Sequence, residues 1–282
     1  MKSCNLSDEL QKAHFKWDKV LEDPLALCSH ISSILQRHAL NGRIFPPGAA
    51  DRPESSAVLF TLGMCQGGES SRPGACLILN KRSERVRQPG DLCFPGGGIS
   101  PRIDPVISRI ISLPLMPLGR WPHWEGLLRE RPNQAMRLSL LLATGIREGL
   151  EEMGLNPLRI KFLGPLPSQD LVMYKRTIYP LATWVGGQRR FFPNREVEKV
   201  IRIPLKDLLK PCFYRRCRML IRGSTSDFPC YLYKGTDGEE VLWGATFRIV
   251  MEFIRIVFQF EAPHMSNLPL VERSLSRDYL RA

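Results

Sequence analysis

No stretch of this chain approaches the ~18 uninterrupted apolar residues that a helix needs to cross a bilayer. Residues Met1 to Asp18 carry charges throughout and have no apolar run of the kind a secretory leader requires, so the expectation is a cytoplasmic protein without a membrane partner. Eight cysteines show no Cys-x-x-Cys spacing, which leaves neither a zinc site nor a disulfide framework to read. Cys76 and Cys93 lie in apolar, strand-like runs, where cysteine behaves as a small hydrophobe. Internal repeats and low-complexity tracts are absent. Acidic residues are outnumbered, 28 against 40 basic ones, and the net charge of +12 draws polyanions such as nucleotides, nucleic acid or acidic lipid surfaces. A solvated basic surface explains the same charge, and Arg215, Arg216 and Arg218 carry both readings, as phosphate-facing groups or as solvated charge. With 282 residues and 43% hydrophobic content, one elaborated domain is expected.

What the chain does have is Arg147-Glu148-Gly149-Leu150-Glu151-Glu152-Met153-Gly154-Leu155. At about 100° per residue, Glu148 and Glu152 stand one helical turn apart with Glu151 beside them, so three carboxylates can converge on one point. Each like-charged i,i+4 pair costs a helix about 0.2 to 0.5 kcal/mol, a penalty that a divalent cation removes. Mg²⁺ and Mn²⁺ take hard oxygen ligands and leave positions open for water and phosphate. Arg147, four residues before Glu151, neutralises one member of the set or fixes its rotamer. Ile146, Leu150 and Met153 supply an apolar stripe facing a core. Taken alone, Glu-x-x-Glu-Glu also reads as a solvated acidic helix face.

Arg-Glu-x-x-Glu-Glu-x-Gly-Leu resembles the second half of the Nudix box, the signature of hydrolases that cut nucleoside diphosphates linked to another moiety. Leu77 to Gly97, with Arg82-Ser83-x-x-Val86-Arg87 and Gly90-x-x-x-Phe94-Pro95-Gly96-Gly97, resembles a segment of the coenzyme A diphosphatase branch, and Trp243-Gly244-Ala245-Thr246 resembles the start of that branch's last helix. The matches span roughly residues 57 to 260 in the right order. Two departures stand out. A Nudix box usually has about five residues between its glycine and a first Glu, and seven more before the Arg. Here Ser139 stands eight before Arg147 and the glycines lie some 50 residues upstream, so an insertion splits the box. Arg87-Gln88-Pro89-Gly90 also lacks the His expected in the coenzyme A branch.

The resemblance implies an α/β fold, a Nudix-type α/β/α sandwich with a mixed sheet. It implies Mg²⁺ or Mn²⁺ held by Glu148, Glu151 and Glu152, with Gly97 or Gly98 carbonyls as further ligands and Arg147 holding the acidic set. Substrate contacts fall to Arg82, Arg85, Arg87, Gly96 and Gly97, with Glu196 and Glu198 as helpers or base. The substrate expected is coenzyme A or acyl-CoA, yielding 3′,5′-ADP and a 4′-phosphopantetheine. Another dinucleotide or a nucleotide sugar is the alternative, and a Nudix domain that binds nucleotide or nucleic acid without turnover is a third. The partner expected is a small nucleotide rather than nucleic acid, and a homodimer is left open.

Along the chain, residues 1–50 form an N-terminal helical extension and linker, 51–262 the catalytic domain and 263–282 a tail. The extension has a helical pattern over 8–38 (Leu10, Phe15, Val20, Leu21, Leu27, Ile31, Leu35), capped at Asp8 and broken at Pro24, followed by a linker at 41–56. Strand patterns fall at 57–62, 75–80, 91–94, 158–163, 178–184 and 197–203, with a short helix at 204–209. Pro95 to Gly98 is expected as an irregular loop that lets backbone approach a ligand. The insertion, about 101–137, carries helical patches at 103–113 and 121–130, and Leu138 to Ala143 lead from it into the acidic helix. Trp121, His123 and Trp124 either pack these patches or stack on an adenine, a contact worth about 1 to 3 kcal/mol per base. A hairpin at 228–242, turning through Thr236, Asp237 and Gly238, precedes a closing amphipathic helix at 246–260.

Overall fold

Side chains alternating along the first two strands divide the molecule into two cores. A computed structural model describes residues 17, 19–41, 55–65, 74–171, 176–221, 224–235, 238–273 and 279. Asp8, Leu10 and Phe15, most of the linker, Thr236 and Asp237, and much of the tail lie outside the described residues. Strand β1 (Ser55–Cys65) sends Ala57 and Leu59 to one face and Phe60 and Leu62 to the other. Strand β2 (Gly74–Arg82) does the same, with Cys76 and Ile78 on the first face and Leu77 and Leu79 on the second. Because successive strand side chains point to opposite faces, a strand that is apolar throughout must be covered on both sides.

The covers are helices, as the sandwich expectation requires. On the Phe60 face lie α1 (Pro24–Asn41), through Leu27, Ile31 and Leu35, and the closing helix Gly244–Phe258, through Val250, Phe253 and Val257. Residues 19–22 are helical, the run is interrupted at Asp23, and α1 starts afresh at Pro24, where the break was expected; Asp23 accepts the N–H groups of Leu25 and Ala26 at 2.9 and 3.2 Å. On the Leu59 face lie α2 (Asp104–Ile111), α3 (Trp124–Glu130) and α4 (Pro132–Met153).

The sheet between them is mixed. β1 pairs antiparallel with β2 and parallel with β7 (Arg176–Val185), which pairs antiparallel with β5 (Ile160–Pro165). β3 (Leu92–Cys93) and β8 (Val197–Pro204) flank β2, β6 (Gln169–Leu171) extends β7, and β4 (Gly96–Gly98) pairs with β1. The three glycines are therefore a strand, not the irregular loop expected. Ser56 to Val58 supply a ready edge, and chain pairing outweighs weak local propensity.

A second sheet was legible only as its hairpin. β10 (Ser224–Gly235) and β11 (Gly238–Leu242) form that hairpin, and β9 (Tyr214–Ile221) and β12 (Leu270–Arg273) complete the order β11-β10-β9-β12. The described part of the tail is thus built into the fold. Asp91 accepts from Trp243 Nε1 at 2.9 Å, from Arg273 at 3.1 Å and from the Tyr279 hydroxyl. Arg218 and Arg216 are taken up inside this sheet by Asp227, at 2.8 and 3.5 Å, and Arg215 donates to the carbonyls of Cys212 and Tyr214. Arg216 and Arg218 thus serve cross-strand pairing with Asp227.

Two further expectations are corrected by packing. Trp121 and Trp124 are buried among the helices of the insertion, Trp121 edge-on to Phe162 at 5.0 Å, so neither ring is open to an adenine. Leu150 is 51% exposed, whereas Ile146 and Met153 are buried. The position that faces the sheet is Gly149, whose missing side chain leaves room for Leu59 and Leu155.

Candidate active site

The helix α4 runs 22 residues from Pro132 to Met153, longer than the acidic segment alone suggested. Proline at its first turn lacks the N–H that would be unpaired there, and Gly154 closes it with φ 66°. The N–H groups of Gly154 and Leu155 turn back to the carbonyls of Leu150 and Gly149 at 3.0 and 3.1 Å. The stop matters because it fixes the last two turns, which carry Arg147, Glu148, Glu151 and Glu152 beside strand β4.

Arg147 is the hub. Its Nε donates to Asp104 Oδ1 at 2.8 Å, one terminal nitrogen donates to Glu148 Oε1 at 2.9 Å and Glu151 Oε2 at 3.2 Å, and the other reaches the Gly98 carbonyl at 3.0 Å. Hydrogen bonding to Asp104, followed by the nearby carboxylates, holds the guanidinium protonated more firmly than an ordinary arginine. Asp104 is fully buried and also accepts from the Ser100 N–H and the Thr144 hydroxyl, each at 2.7 Å. Sequence reading missed it. The signal was present, since the five residues Ile99 to Ile103 separate Gly98 from Asp104, the spacing at which the Nudix box places its first Glu. Folding brings Asp104 and Arg147, 43 residues apart in the chain, into contact.

Glu148 packs against backbone. A Cβ at Gly97 would stand 2.3 Å from Glu148 Oε1, so no other residue fits there with this carboxylate in place. Burial raises the Glu148 pKa, and Arg147 partly offsets the rise. Glu152 is enclosed more deeply, with Oε2 accepting from Asn80 Nδ2 at 2.7 Å and Oε1 from the Gly96 N–H at 3.4 Å. Its pKa rises to about 7, driven first by desolvation and held down by those two donors. Asn80, 1% exposed on β2, is a second residue that sequence reading missed, and its Oδ1 has no hydrogen-bond partner. Pattern alone gives no signal for it, because Asn80 reads as the end of an apolar strand.

A small pocket opens beside Glu152, lined by Asn80, Arg82, Val86, Cys93, Glu196 and Val197. Of the three arginines expected at the substrate, Arg82 reaches this pocket, braced by its Nε on the Arg87 carbonyl at 2.6 Å. Arg85 and Arg87 sit exposed on the turn that follows β2. Glu196 lines the pocket too, held by its N–H on Asn194 Oδ1 at 2.8 Å, whereas Glu198 is ion-paired with Lys81 at 3.3 Å.

The three carboxylates share one helical face but do not point at one another. Glu148 and Glu151 turn to Arg147, Glu152 turns to Asn80 and Gly96, and among the described residues no three His, Cys, Asp or Glu side chains are grouped for a metal ion. Convergence on one point, as helical geometry allowed, is thus not the arrangement here. Glu148 and Glu151 share one Arg147 nitrogen, and Glu152 has partners of its own. The donor set nevertheless suits a hard dication: carboxylate oxygens, a glycine backbone against Glu148, and an orphaned amide oxygen beside Glu152.

A mixed sheet between helices, with an acidic helix end docked on a glycine strand, defines an α/β sandwich with a carboxylate-rich site. No family model matches the chain. Nudix hydrolase 22, chloroplastic, of Arabidopsis thaliana is similar to it, 28% identical over 137 residues that cover 46% of this chain and 44% of that protein. The chain thus spans under half the length of the curated relative it matches. Among solved structures, a MutT/nudix family protein from Enterococcus faecalis is 12% identical with a TM-score of 0.38, over 90% of this chain and 76% of that one. A NUDIX hydrolase from Nitrosomonas europaea is 10% identical with a TM-score of 0.37, over 79% of this chain and 80% of that one. The similarity to the Arabidopsis protein supports the Nudix superfamily and leaves the coenzyme A branch without support of its own. Among the described residues, no helix is long and apolar enough to cross a membrane.

Proposed function

We propose that this chain is a Nudix-type pyrophosphohydrolase that cleaves a nucleoside-diphosphate-linked substrate, coenzyme A or an acyl-CoA, into 3′,5′-ADP and a 4′-phosphopantetheine. The observation that carries the hydrolase reading is the contact between Arg147 and Asp104, at 2.8 Å, which rejoins a motif divided by more than 40 residues. A buried, fully bonded ion pair is a costly thing to keep unless it holds something in position. What it holds is the Arg147 fork, and through it the carboxylates of Glu148 and Glu151.

Glu148, Glu151 and Glu152 would hold Mg²⁺ or Mn²⁺, with the Gly97 or Gly98 carbonyl as a further donor. When bound, the ion supplies charge neutralisation for the diphosphate and a more acidic water. Arg82, at the pocket beside Glu152, binds and orients a phosphate oxygen. A water oxygen attacks one phosphorus, the bond from that phosphorus to the bridging oxygen breaks, and the second phosphate leaves with the bridging oxygen. Glu196, which lines the same pocket, would accept the proton of the attacking water. The cytoplasmic setting remains part of this reading.

Substrate identity rests on the Arg82-Ser83-x-x-Val86-Arg87 and Phe94-Pro95-Gly96-Gly97 segments. The absent His before Gly90 favours a second reading, a Nudix hydrolase for another dinucleotide or a nucleotide sugar. The test is turnover of coenzyme A, NADH and ADP-ribose by the purified chain with Mg²⁺ or Mn²⁺. Preference for coenzyme A supports the first reading, and preference for the others replaces it with the second. Binding of all three without turnover would remove the hydrolase assignment.

A further inference from the structure

Half of the large hydrophobic side chains that stand exposed among the described residues lie in the insertion. They are Ile103, Val106, Ile110, Leu113, Leu115, Leu128 and Met136, seven of fourteen. Five of them fall on α2, at its N-cap or just beyond it, from Ile103, 49% exposed, to Leu115, 82% exposed. On α2 the inner face is spent on the fold, since Asp104 and Ile111 are buried and Ile107 packs against the core beneath. Ile103, Val106 and Ile110, at i, i+3 and i+7, make a second, exposed stripe about 100° around the helix from that face. Arg102 and Arg109, both exposed, border that stripe.

We infer that α2 and the turn after it lie on an anionic membrane surface, with the aliphatic stripe in the headgroup boundary and Arg102 and Arg109 against lipid phosphates. The chemistry is that of an interfacial helix, apolar on one side and arginine-flanked on the other. Charge selects lipid over a second copy of the chain. The insertion carries six arginines against Glu125 and Glu130 at its surface, and its one other acid, Asp104, is buried on Arg147. An isologous contact through the stripe would set these arginines against their own copies. A stable protein interface also takes roughly 20 to 30 residues a side, more than this series offers. The expectation of no membrane partner came from the lack of a spanning segment, and a helix lying flat on the surface needs none. This inference does not depend on the hydrolase reading.

The test is flotation of the full chain with phosphatidylcholine vesicles, with and without phosphatidylserine, at low and high salt. Binding is expected only with phosphatidylserine and is expected to weaken as salt rises. Ile110→Asp with Leu115→Asp should abolish it. Arg102→Gln with Arg109→Gln, which leaves the apolar stripe intact, should weaken it roughly thirty-fold, the effect of removing two membrane-proximal cations. Circular dichroism reports whether each variant is folded, and the arginine pair keeps the question open to refutation if the aspartate pair does not fold. Absence of binding to anionic vesicles, or binding unchanged in the folded arginine variant, overturns the inference. So does a dimer in light scattering that the aspartate variant converts to monomer.

Discussion

Asp104→Ala removes a carboxylate with no exposure that accepts from four donors: Arg147 Nε at 2.8 Å, its terminal nitrogen at 3.4 Å, the Ser100 N–H at 2.7 Å and the Thr144 hydroxyl at 2.7 Å. The lost side chain leaves a nearly buried guanidinium without its main counter-charge. Breaking one side of a buried ion pair costs about 3 to 5 kcal/mol, a large fraction of a domain's roughly 5 to 15 kcal/mol. Arg147 is not wholly orphaned, since Glu148, Glu151 and the Gly98 carbonyl remain, and this places the expected loss near 3 kcal/mol. Asp104→Asn keeps the shape and one acceptor, and about 1 to 3 kcal/mol is expected. Urea denaturation at pH 7 measures both. In a double-mutant cycle with Arg147→Met, the two losses should be strongly non-additive. Turnover of the Asn variant should fall about 10- to 100-fold, the usual effect of loosening a group that orients the ligands themselves. A loss under about 1 kcal/mol for the Ala variant, with additive energies, would refute the claim that this pair rejoins the site.

Four further outcomes are expected. Gly97→Ala should reduce turnover by about 100-fold while changing stability little, because the new methyl displaces the flexible end of Glu148; an active Gly97→Ala enzyme would remove that contact from the site. Glu152, raised to about 7 by burial, binds its proton more tightly folded than unfolded, so without metal its contribution is full below pH 4.5 and is lost as pH rises through 7. The span is at most about 3 kcal/mol, and Glu152→Gln should flatten that part of the urea stability profile. Added Mg²⁺ should raise the melting temperature, by about 2.7 kcal/mol of stability at a hundred times its Kd, and Glu152→Gln should lose most of the rise. Trp121→Ala should cost about 3 to 5 kcal/mol in denaturation and leave KM unchanged, since the ring packs on Phe162, and a raised KM without instability would reopen the stacking role.

The sequence by itself determined whatever depends on near neighbours in the chain. The apolar runs at 57–62 and 75–80 read as strands, and Glu148, Glu151 and Glu152 share a helical face by arithmetic. Tertiary structure alone decided what meets across distance. Asp104 lies 43 residues from Arg147 and Asn80 lies 72 from Glu152, and no periodicity relates such positions. It also decided where each carboxylate points, since helical geometry fixes only Cβ directions and the donors that folding brings alongside fix the rest. The glycine strand, the burial of Trp121 and the use of Arg216 and Arg218 by Asp227 follow the same rule. A local pattern states what a segment is able to do, and the partner that folding supplies determines which of those options it takes.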